Sequence, residues 1–168
     1  GTPIPELTGN ESEWYATTTG AWCWYNNDSA TYAATYGRLY NWYAVVGIYD
    51  AASAADPSLR KQLAPSGWHV PNDGEFLDLF VSLDPNTTII GPNSASSTIA
   101  GGLMKTTGTR QQGTGLWDHP NYMASNASGF SGVPGGGLWN TGWETHGAIG
   151  YWWSSSPGEP GSEYRSSI

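Results

Sequence analysis

The sequence predicts a small domain in which short helices and short strands are joined by much irregular backbone. Its 168 residues suit one globular domain, and 38% hydrophobic residues are enough to bury a core. Its 23 glycines and 11 prolines make up about a fifth of the chain, and both residue types interrupt helices and strands. No apolar run approaches the roughly 20 residues that a membrane-spanning helix needs.

Two short helices are expected. The first begins after Asn41, whose side chain suits an N-cap, and ends at Gly47. The second follows residues 71–75, where Asn or Asp supplies the N-cap and acidic side chains favour the first turn. It ends before Pro85. Its apolar side chains recur at helical spacing and are expected to face the core; they are Phe76, Leu79, Phe80 and Leu83.

The strand candidates are short and lie at residues 37–40, 68–70, 129–133 and 150–154. Loops of unusual length for a small domain are expected between the elements, at residues 49–64, 84–100 and 106–128. Such loops are usually functional or held by side-chain hydrogen bonds. Residues 157–168 carry almost no apolar side chain, so we expect them to form a polar tail after a single domain of residues 1–156.

Charge and cysteine content exclude several classes of protein. Six Lys and Arg against 14 Asp and Glu give a net charge of −8, so binding to nucleic acid is not expected. The single cysteine, Cys23, excludes an internal disulfide framework and a multi-thiolate zinc site, and we expect it to be buried and inert. Scarce lysine with abundant Trp, Tyr, Gly and Asn is typical of a secreted or cell-surface protein.

The residue spacing does not indicate an enzyme. The chain has no Gly-x-Ser-x-Gly segment, so a serine nucleophile elbow is excluded. His69, His119 and His146 do not share a metal-ligand spacing, so no metal site is expected. Carboxylates for glycosidase chemistry are present, but nothing in the sequence pairs two of them across a cleft. A non-catalytic role is therefore expected.

Calcium is the one cofactor that the sequence leaves open. Residues 26–28 (Asn-Asn-Asp) and Asp118 offer the hard oxygen ligands that Ca²⁺ prefers. Their spacing matches no EF-hand loop, and Asn-Asn-Asp is equally typical of a turn. We therefore expect a turn at residues 26–28 and no bound cofactor.

The aromatic content is the most informative feature, because ten Trp and ten Tyr cannot all enter one small core. Four tryptophans are expected to pack inside the domain or to brace loops: Trp22, Trp42, Trp68 and Trp153. Others lie in segments rich in glycine and asparagine, beside polar side chains. The resulting candidate ligand-binding residues are Trp117, Asp118, His119, Asn121, Trp139, Asn140, Trp143, Glu144, His146 and Trp152. Exposed indoles beside such groups suit a sugar ring or a protein surface; alternatively, the indoles pin the glycine-rich loops to the body of the domain.

Six phrases in order resemble the Fibrobacter succinogenes major paralogous domain, a family abundant in secreted bacterial proteins. The phrases occupy residues 21–28, 36–45, 63–71, 100–109, 124–131 and 150–156. The match covers roughly residues 20–156. It implies an α+β, C-type-lectin-like fold with one or two helices, small twisted antiparallel sheets and extensive irregular loops. This fold branch also contains the formylglycine-generating enzymes, whose chemistry needs two thiols where this chain has only Cys23.

The resemblance also implies a closing strand. Family members usually continue past the Trp-Trp-Ser-Ser phrase to a strand containing Gly-Phe-Ser-Val-Arg-Cys, which this sequence lacks. A missing strand leaves an open sheet edge that a partner can fill. The first hypothesis is therefore a secreted module that binds polysaccharide or a cell-surface glycan. The alternative is a module for protein–protein adhesion or self-assembly.

Overall fold

The computed structural model describes residues 3–8, 11–91, 94–139, 141–157 and 165–167. It combines short helices with small antiparallel sheets, so the chain is an α+β protein. The α-helices are α1 (Glu11–Ala16), α2 (Ser29–Tyr36), α3 (Trp42–Val45), α4 (Ala51–Ala55), α5 (Asp73–Leu83) and α6 (Ala100–Met104). The strands are β1 (Trp22–Cys23), β2 (Leu39–Tyr40), β3 (Thr88–Gly91), β4 (Ser94–Ser96), β5 (Gly137–Trp139), β6 (Gly142–Glu144), β7 (Tyr151–Trp153) and β8 (Arg165–Ser167).

The chain divides into two compact units. Unit 1 contains the described parts of residues 1–70 and 137–144, and unit 2 contains those of residues 71–136, 145–158 and 164–168. Consecutive strands pair antiparallel throughout the described chain, as β1–β2, β3–β4, β5–β6 and β7–β8. In the described residues no helix is long and apolar enough to cross a membrane.

Asn41 ties the core of unit 1 together. Its Oδ1 accepts hydrogen bonds from the backbone N–H of Ala44 (2.9 Å), which caps α3, and of Ala21 (3.0 Å). Its Nδ2 donates to the carbonyl oxygen of Thr19 at 2.9 Å. The expected cap at Asn41 is thus confirmed, and the side chain is also buried. The apolar core around it consists of Ala21, Trp22, Cys23, Ala44, Val45 and Ile48.

Unit 2 is built on α5, which begins as the sequence predicts. The side chain of Asn72 accepts from the backbone N–H of Glu75 (3.0 Å), and the Glu75 carboxylate accepts from the N–H of Asn72 (2.8 Å), which forms a capping box. Phe76 is buried, whereas the other three apolar residues expected to face the core are half-buried. The remaining core of this unit includes Ala100, Met104, Trp117 and Pro134.

The structure contains more regular elements than the two predicted helices. Helices α1, α2, α4 and α6 were not expected, and α4 lies in the predicted loop 49–64. Helices α2, α4 and α6 consist mostly of Ala, Ser, Thr and Gly, and α1 has only six residues, so hydrophobic periodicity gives no signal for any of them. Helix α4 forms because Asp50 and Ser53 build a capping box around five residues of which four are alanine.

The strand predictions were confirmed only in part. Residues 37–40 and 150–154 contain β2 and β7, but residues 68–70 and 129–133 form no strand. The predicted loop 84–100 holds the β3–β4 hairpin. Part of the predicted polar tail, residues 165–167, pairs with β7, so β7 has a partner strand that the sequence did not indicate. The rest of the tail beyond residue 157 lies outside the described residues.

Trp68 does not pack inside the domain, which was the first of the two roles expected for it. Its relative exposure is 72%, the joint highest among the large apolar side chains in the described part of the chain. Trp22 is buried as expected, and Trp42 and Trp153 are half-buried.

Candidate functional site

The ten candidate ligand-binding residues do not fall in one unit. Trp139, Trp143 and Glu144 belong to unit 1, and Asn140 lies outside the described residues. The others belong to unit 2: Trp117, Asp118, His119, Asn121, His146 and Trp152. Each set is therefore described within its own unit.

Trp117 is a core residue, and the stacking role predicted for it is wrong. It is 2% exposed, and its Nε1–H donates to Thr106 Oγ1 (3.0 Å) and to the Gly132 carbonyl oxygen (3.2 Å). Two glycines let the backbone before Trp117 fold back on itself. A Cβ on Gly108 would lie 2.2 Å from the Thr114 carbonyl oxygen, and one on Gly115 would lie 2.4 Å from that of Thr107. The loop that precedes Trp117 is therefore tightly folded.

Asn121 also holds the loop together. Its Nδ2 donates to the carbonyl oxygens of Thr106 (3.0 Å) and Gly108 (2.8 Å), and the residue is half-buried. The backbone of Asn121 has a φ of 30°, which Asn tolerates better than most residues. Its amide nitrogen thus holds the backbone of residues 106–108 in place, and its ligand-binding role stays a prediction.

Asp118 and His146 meet in a polar cluster around Arg110. Arg110 Nη1 lies 3.7 Å from Asp118 Oδ1 and 3.3 Å from His146 Nδ1. Because a guanidinium only donates, this contact makes His146 Nδ1 an acceptor. Burial lowers the pKa of His146, and the charge of Arg110 lowers it further, partly offset by Asp118. The imidazole is therefore neutral near pH 7.

The rest of the Asp118 environment is also structural. Gln111 Nε2 donates to Asp118 Oδ1 at 3.1 Å, and Gln111 Oε1 accepts from the backbone N–H of His119 at 2.8 Å. The side chain of His119 is exposed. Trp152 is half-buried and packs edge-on against Phe130, with ring centroids 5.2 Å apart. In unit 2 the predicted site residues thus mainly hold loops in place.

Unit 1 carries a continuous row of aromatic rings. Trp143 contacts Tyr25 (centroids 5.2 Å apart), Tyr25 contacts Tyr32 (5.1 Å), and Tyr32 contacts Tyr36 (6.0 Å). All four residues are half-buried, so each ring presents part of its surface to solvent. We call Trp143, Tyr25, Tyr32 and Tyr36 the aromatic row. Of its members, the sequence identified only Trp143.

Local sequence explains why the row forms. Asn26 and Asn27 adopt positive φ values of 53° and 54° in the turn that carries Tyr25, as the turn interpretation of residues 26–28 requires. Asp28 then caps α2 by accepting from the backbone N–H of Thr31 at 3.1 Å. Tyr32 and Tyr36 lie four residues apart on α2 and therefore share one face.

The helix that carries Tyr32 and Tyr36 contributes no residue to the buried core. Helix α2 has no buried residue, and the side chains between its tyrosines are Ala and Thr. Trp143 reaches the row from the β5–β6 hairpin, where it pairs with Leu138. The hairpin is further held by a hydrogen bond from the Thr141 hydroxyl to the Glu144 carboxylate. Trp139, on the partner strand, is half-buried.

A second aromatic group lies on β1 and the residue after it. Trp22 and Trp24 pack edge to face with centroids 5.1 Å apart. The guanidinium of Arg38 lies 4.0 Å from the Trp22 ring centre and 5.5 Å from that of Trp24. The guanidinium of Arg38 therefore makes cation–π contacts with both indole rings.

The residues described in the structure contain no group of three or more His, Cys, Asp or Glu side chains placed to hold a metal ion. Cys23 is a buried free thiol, and burial followed by the nearby Glu6 charge raises its pKa to about 12. It is therefore a protonated, unreactive thiol at neutral pH.

One comparison with known proteins gives a match. The family model described as the Fibrobacter succinogenes major domain matches residues 1–168, which extends the resemblance seen at residues 20–156 over the whole chain. No curated protein and no solved structure matches the chain. The phrases of the sequence and the match over its full length agree: this chain belongs to the Fibrobacter succinogenes major domain family.

Proposed function

We propose that this chain is a secreted, non-catalytic binding module that recognises polysaccharide through the aromatic row. The observation that carries the proposal is the continuous contact of four half-buried rings: Trp143, Tyr25, Tyr32 and Tyr36. Phenol and indole rings offer an apolar face to the C–H groups of a sugar. A C-type-lectin-like arrangement and a location at the cell surface or outside the cell belong to the same proposal.

Polar side chains suited to sugar hydroxyls lie close to the row in sequence. Asn26 is exposed next to Tyr25, and Ser29 is exposed at the start of α2. Ser29 lies three residues before Tyr32 and so shares its helix face. Rings for stacking, and amide and hydroxyl groups for hydrogen bonding, are the two parts that a sugar-binding surface needs.

The test is a binding titration of the folded chain against a panel of soluble polysaccharides. Tyr32→Ala, Tyr36→Ala and Trp143→Ala are each expected to weaken binding to the recognised glycan tenfold or more, which corresponds to about 1.4 kcal/mol. Tyr122→Ala is the matched control, because Tyr122 is 72% exposed but belongs to unit 2. Unchanged affinity in the three row variants would refute the role of the row.

Protein–protein adhesion remains the second candidate, and one loop favours it. Tyr122 and Met123 are 72% and 53% exposed, and Met123 has a φ of 56°, an unusual conformation for a residue of this type. The loop is fixed on both sides, by the Asn121 side chain and by a hydrogen bond from the Ser125 N–H to the Gly102 carbonyl oxygen (2.9 Å). Large apolar groups on a rigid loop are typical anchors of protein interfaces.

The sequence suggested an open sheet edge after the Trp-Trp-Ser-Ser segment as a reason for this alternative. That reason is weaker in the structure, because β7 is paired with β8.

Size-exclusion chromatography with light scattering separates the two candidates. An oligomer that becomes a monomer in the double variant Tyr122→Ala/Met123→Ala would support self-assembly. A monomer that binds polysaccharide would support the first proposal.

A further inference from the structure

We infer that Arg38 forms, with the indole rings of Trp22 and Trp24, a subsite that binds the carboxylate of an acidic sugar. The inference rests on the proposed function for the class of polymer, and it adds a charged group of the ligand that the aromatic row does not contact. Two observations carry it. The Arg38 guanidinium lies on two rings of unit 1, and it has no acidic partner among the described residues.

Strand register brings Arg38 and the two indoles to one face of the β1–β2 sheet. Trp22 pairs with Tyr40 in this antiparallel sheet. Continued by two residues on each strand, the same register sets Trp24 opposite Arg38. Residues two apart on one strand share a face, and so do opposed residues on paired strands. The ring contacts agree, because the guanidinium carbon lies 4.0 Å from the ring centre of Trp22 and 5.5 Å from that of Trp24.

Trp22 is a fixed platform for the guanidinium. The residue is 8% exposed, and its Nε1–H donates to the Ile4 carbonyl oxygen at 3.0 Å. Trp24 is half-buried, and its ring stands at 76° to that of Trp22. A guanidinium stacked on a ring keeps the N–H donors at its edge free for an acceptor. Because the rings already restrict the Arg38 side chain, less conformational entropy is lost when a ligand binds.

The charge of Arg38 is not neutralised within the described part of the chain. The residue is exposed, and its guanidinium makes no hydrogen bond or ion pair with any described residue. Arg60 and Arg110 differ, because Arg60 donates to a carbonyl oxygen at 3.2 Å and Arg110 lies 3.7 Å from a carboxylate oxygen. Glu6, whose backbone bridges to Trp22, makes no ion pair with Arg38 in the described structure.

A carboxylate matches the free edge of this guanidinium. Its two oxygens accept from paired N–H donors in a bidentate, charge-assisted contact. A uronate carries that group on a sugar ring, whose C–H groups suit the exposed part of the Trp24 indole. The net charge of −8 opposes a polyanion at long range. At about 0.15 M salt this repulsion is screened beyond about 8 Å, whereas a direct contact with Arg38 is retained.

The experiment compares polygalacturonate with its methyl ester of the same chain length, using the full chain at about 0.15 M salt. The two polymers share the same sugar and differ in the charge of the carboxyl group. The wild-type protein is expected to bind polygalacturonate about tenfold more tightly than the ester. Poly-L-glutamate presents carboxylates without a sugar ring, and it is expected to bind more weakly than polygalacturonate.

The decisive variant is Arg38→Gln, which removes the charge and keeps a polar side chain. It is expected to bind polygalacturonate and the ester with affinities within about twofold of each other. Arg38→Lys keeps the charge but loses the planar pair of donors, so a preference of about threefold is expected. Arg60→Gln is the matched control, because it removes one positive charge from the same unit and should keep the wild-type preference. Circular dichroism checks that each variant is folded.

The outcomes separate the subsite from the proposed function. Equal binding of acid and ester by the wild type, tighter binding of the ester, or a preference that persists in Arg38→Gln overturns the subsite while glycan binding stands. So does a lack of polygalacturonate binding in a protein that binds another glycan. Tighter binding of poly-L-glutamate than of polygalacturonate overturns the assignment to a sugar. Failure to bind any polysaccharide, with the protein folded, overturns both the subsite and the proposed function.

Discussion

Replacement of Trp117 tests whether this indole belongs to the core, as the structure shows, or to a binding surface. In Trp117→Phe the ring stays apolar, but the donor to Thr106 Oγ1 and the Gly132 carbonyl oxygen is lost. That carbonyl oxygen still accepts from the Thr106 N–H (3.0 Å) and hydroxyl (3.2 Å), so no buried acceptor is left unpaired. The cost is therefore one hydrogen bond and a small loss of volume, about 2 kcal/mol in the free energy of unfolding.

Trp117→Ala removes the whole ring from a site that is 2% exposed and is expected to cost about 3–5 kcal/mol. Urea denaturation followed by far-UV circular dichroism measures both values without dependence on tryptophan fluorescence. Trp68→Ala is the control, because its indole is 72% exposed and the substitution is expected to change stability by about 0.5 kcal/mol or less. If Trp117→Ala destabilised the chain no more than Trp68→Ala, the assignment of Trp117 to the core would be refuted.

Three further predictions concern the scaffold. Above pH 9 the unfolded Cys23 thiol ionises, whereas the folded one stays protonated up to about pH 12. The free energy of unfolding should therefore fall by about 1.4 kcal/mol between about pH 8 and about pH 10, relative to Cys23→Ala. Equal pH profiles of the two proteins would contradict this. Asn41→Ala should lower the free energy of unfolding by about 2–3 kcal/mol and Asn72→Ala by about 1 kcal/mol. Of the two caps, Asn41 is the buried one and makes three hydrogen bonds. Similar urea midpoints for the two variants would disprove the difference. Gly47→Ala should be far more destabilising than Gly37→Ala in thermal melts. Both have positive φ, but only at Gly47 would a Cβ meet backbone, 1.9 Å from the Lys61 carbonyl oxygen.

Capping chemistry made the helices α3 and α5 predictable. Asn41 and Asn72 each precede a run of apolar residues and act as caps through the atoms expected of them. The same chemistry was present before α2 and α4, where Asp28 and Asp50 are the caps. Those helices were missed because their residues are mostly Ala, Ser and Thr, which provide no hydrophobic period. A cap signal without an apolar stripe therefore indicates a surface helix.

The sequence predicts that aromatic rings form the candidate site, but it does not predict which rings. The excess of Trp and Tyr correctly indicated that rings would remain partly exposed, and Trp143 was among the residues chosen. Tyr25, Tyr32 and Tyr36 were not chosen, although Tyr32 and Tyr36 have the spacing of neighbours on one helix face. Contacts between α2, its preceding turn and the β5–β6 hairpin join segments more than a hundred residues apart, and no local pattern encodes them.

The error at Trp117 bears on how glycine-rich segments are interpreted. We expected glycine-rich backbone to offer an indole no interior. In the structure, Gly108 and Gly115 let two backbone segments approach within distances that any Cβ would block, and Trp117, shortly after them, is buried. Glycine near an indole therefore does not by itself predict an exposed ring. Tyr32 and Tyr36 are in the opposite situation, since they lie on a helix with no buried residue. Neither ring belongs to the buried core, so Tyr32→Ala and Tyr36→Ala are expected to fold, and circular dichroism of each variant checks that a loss of binding reflects lost contact with the ligand.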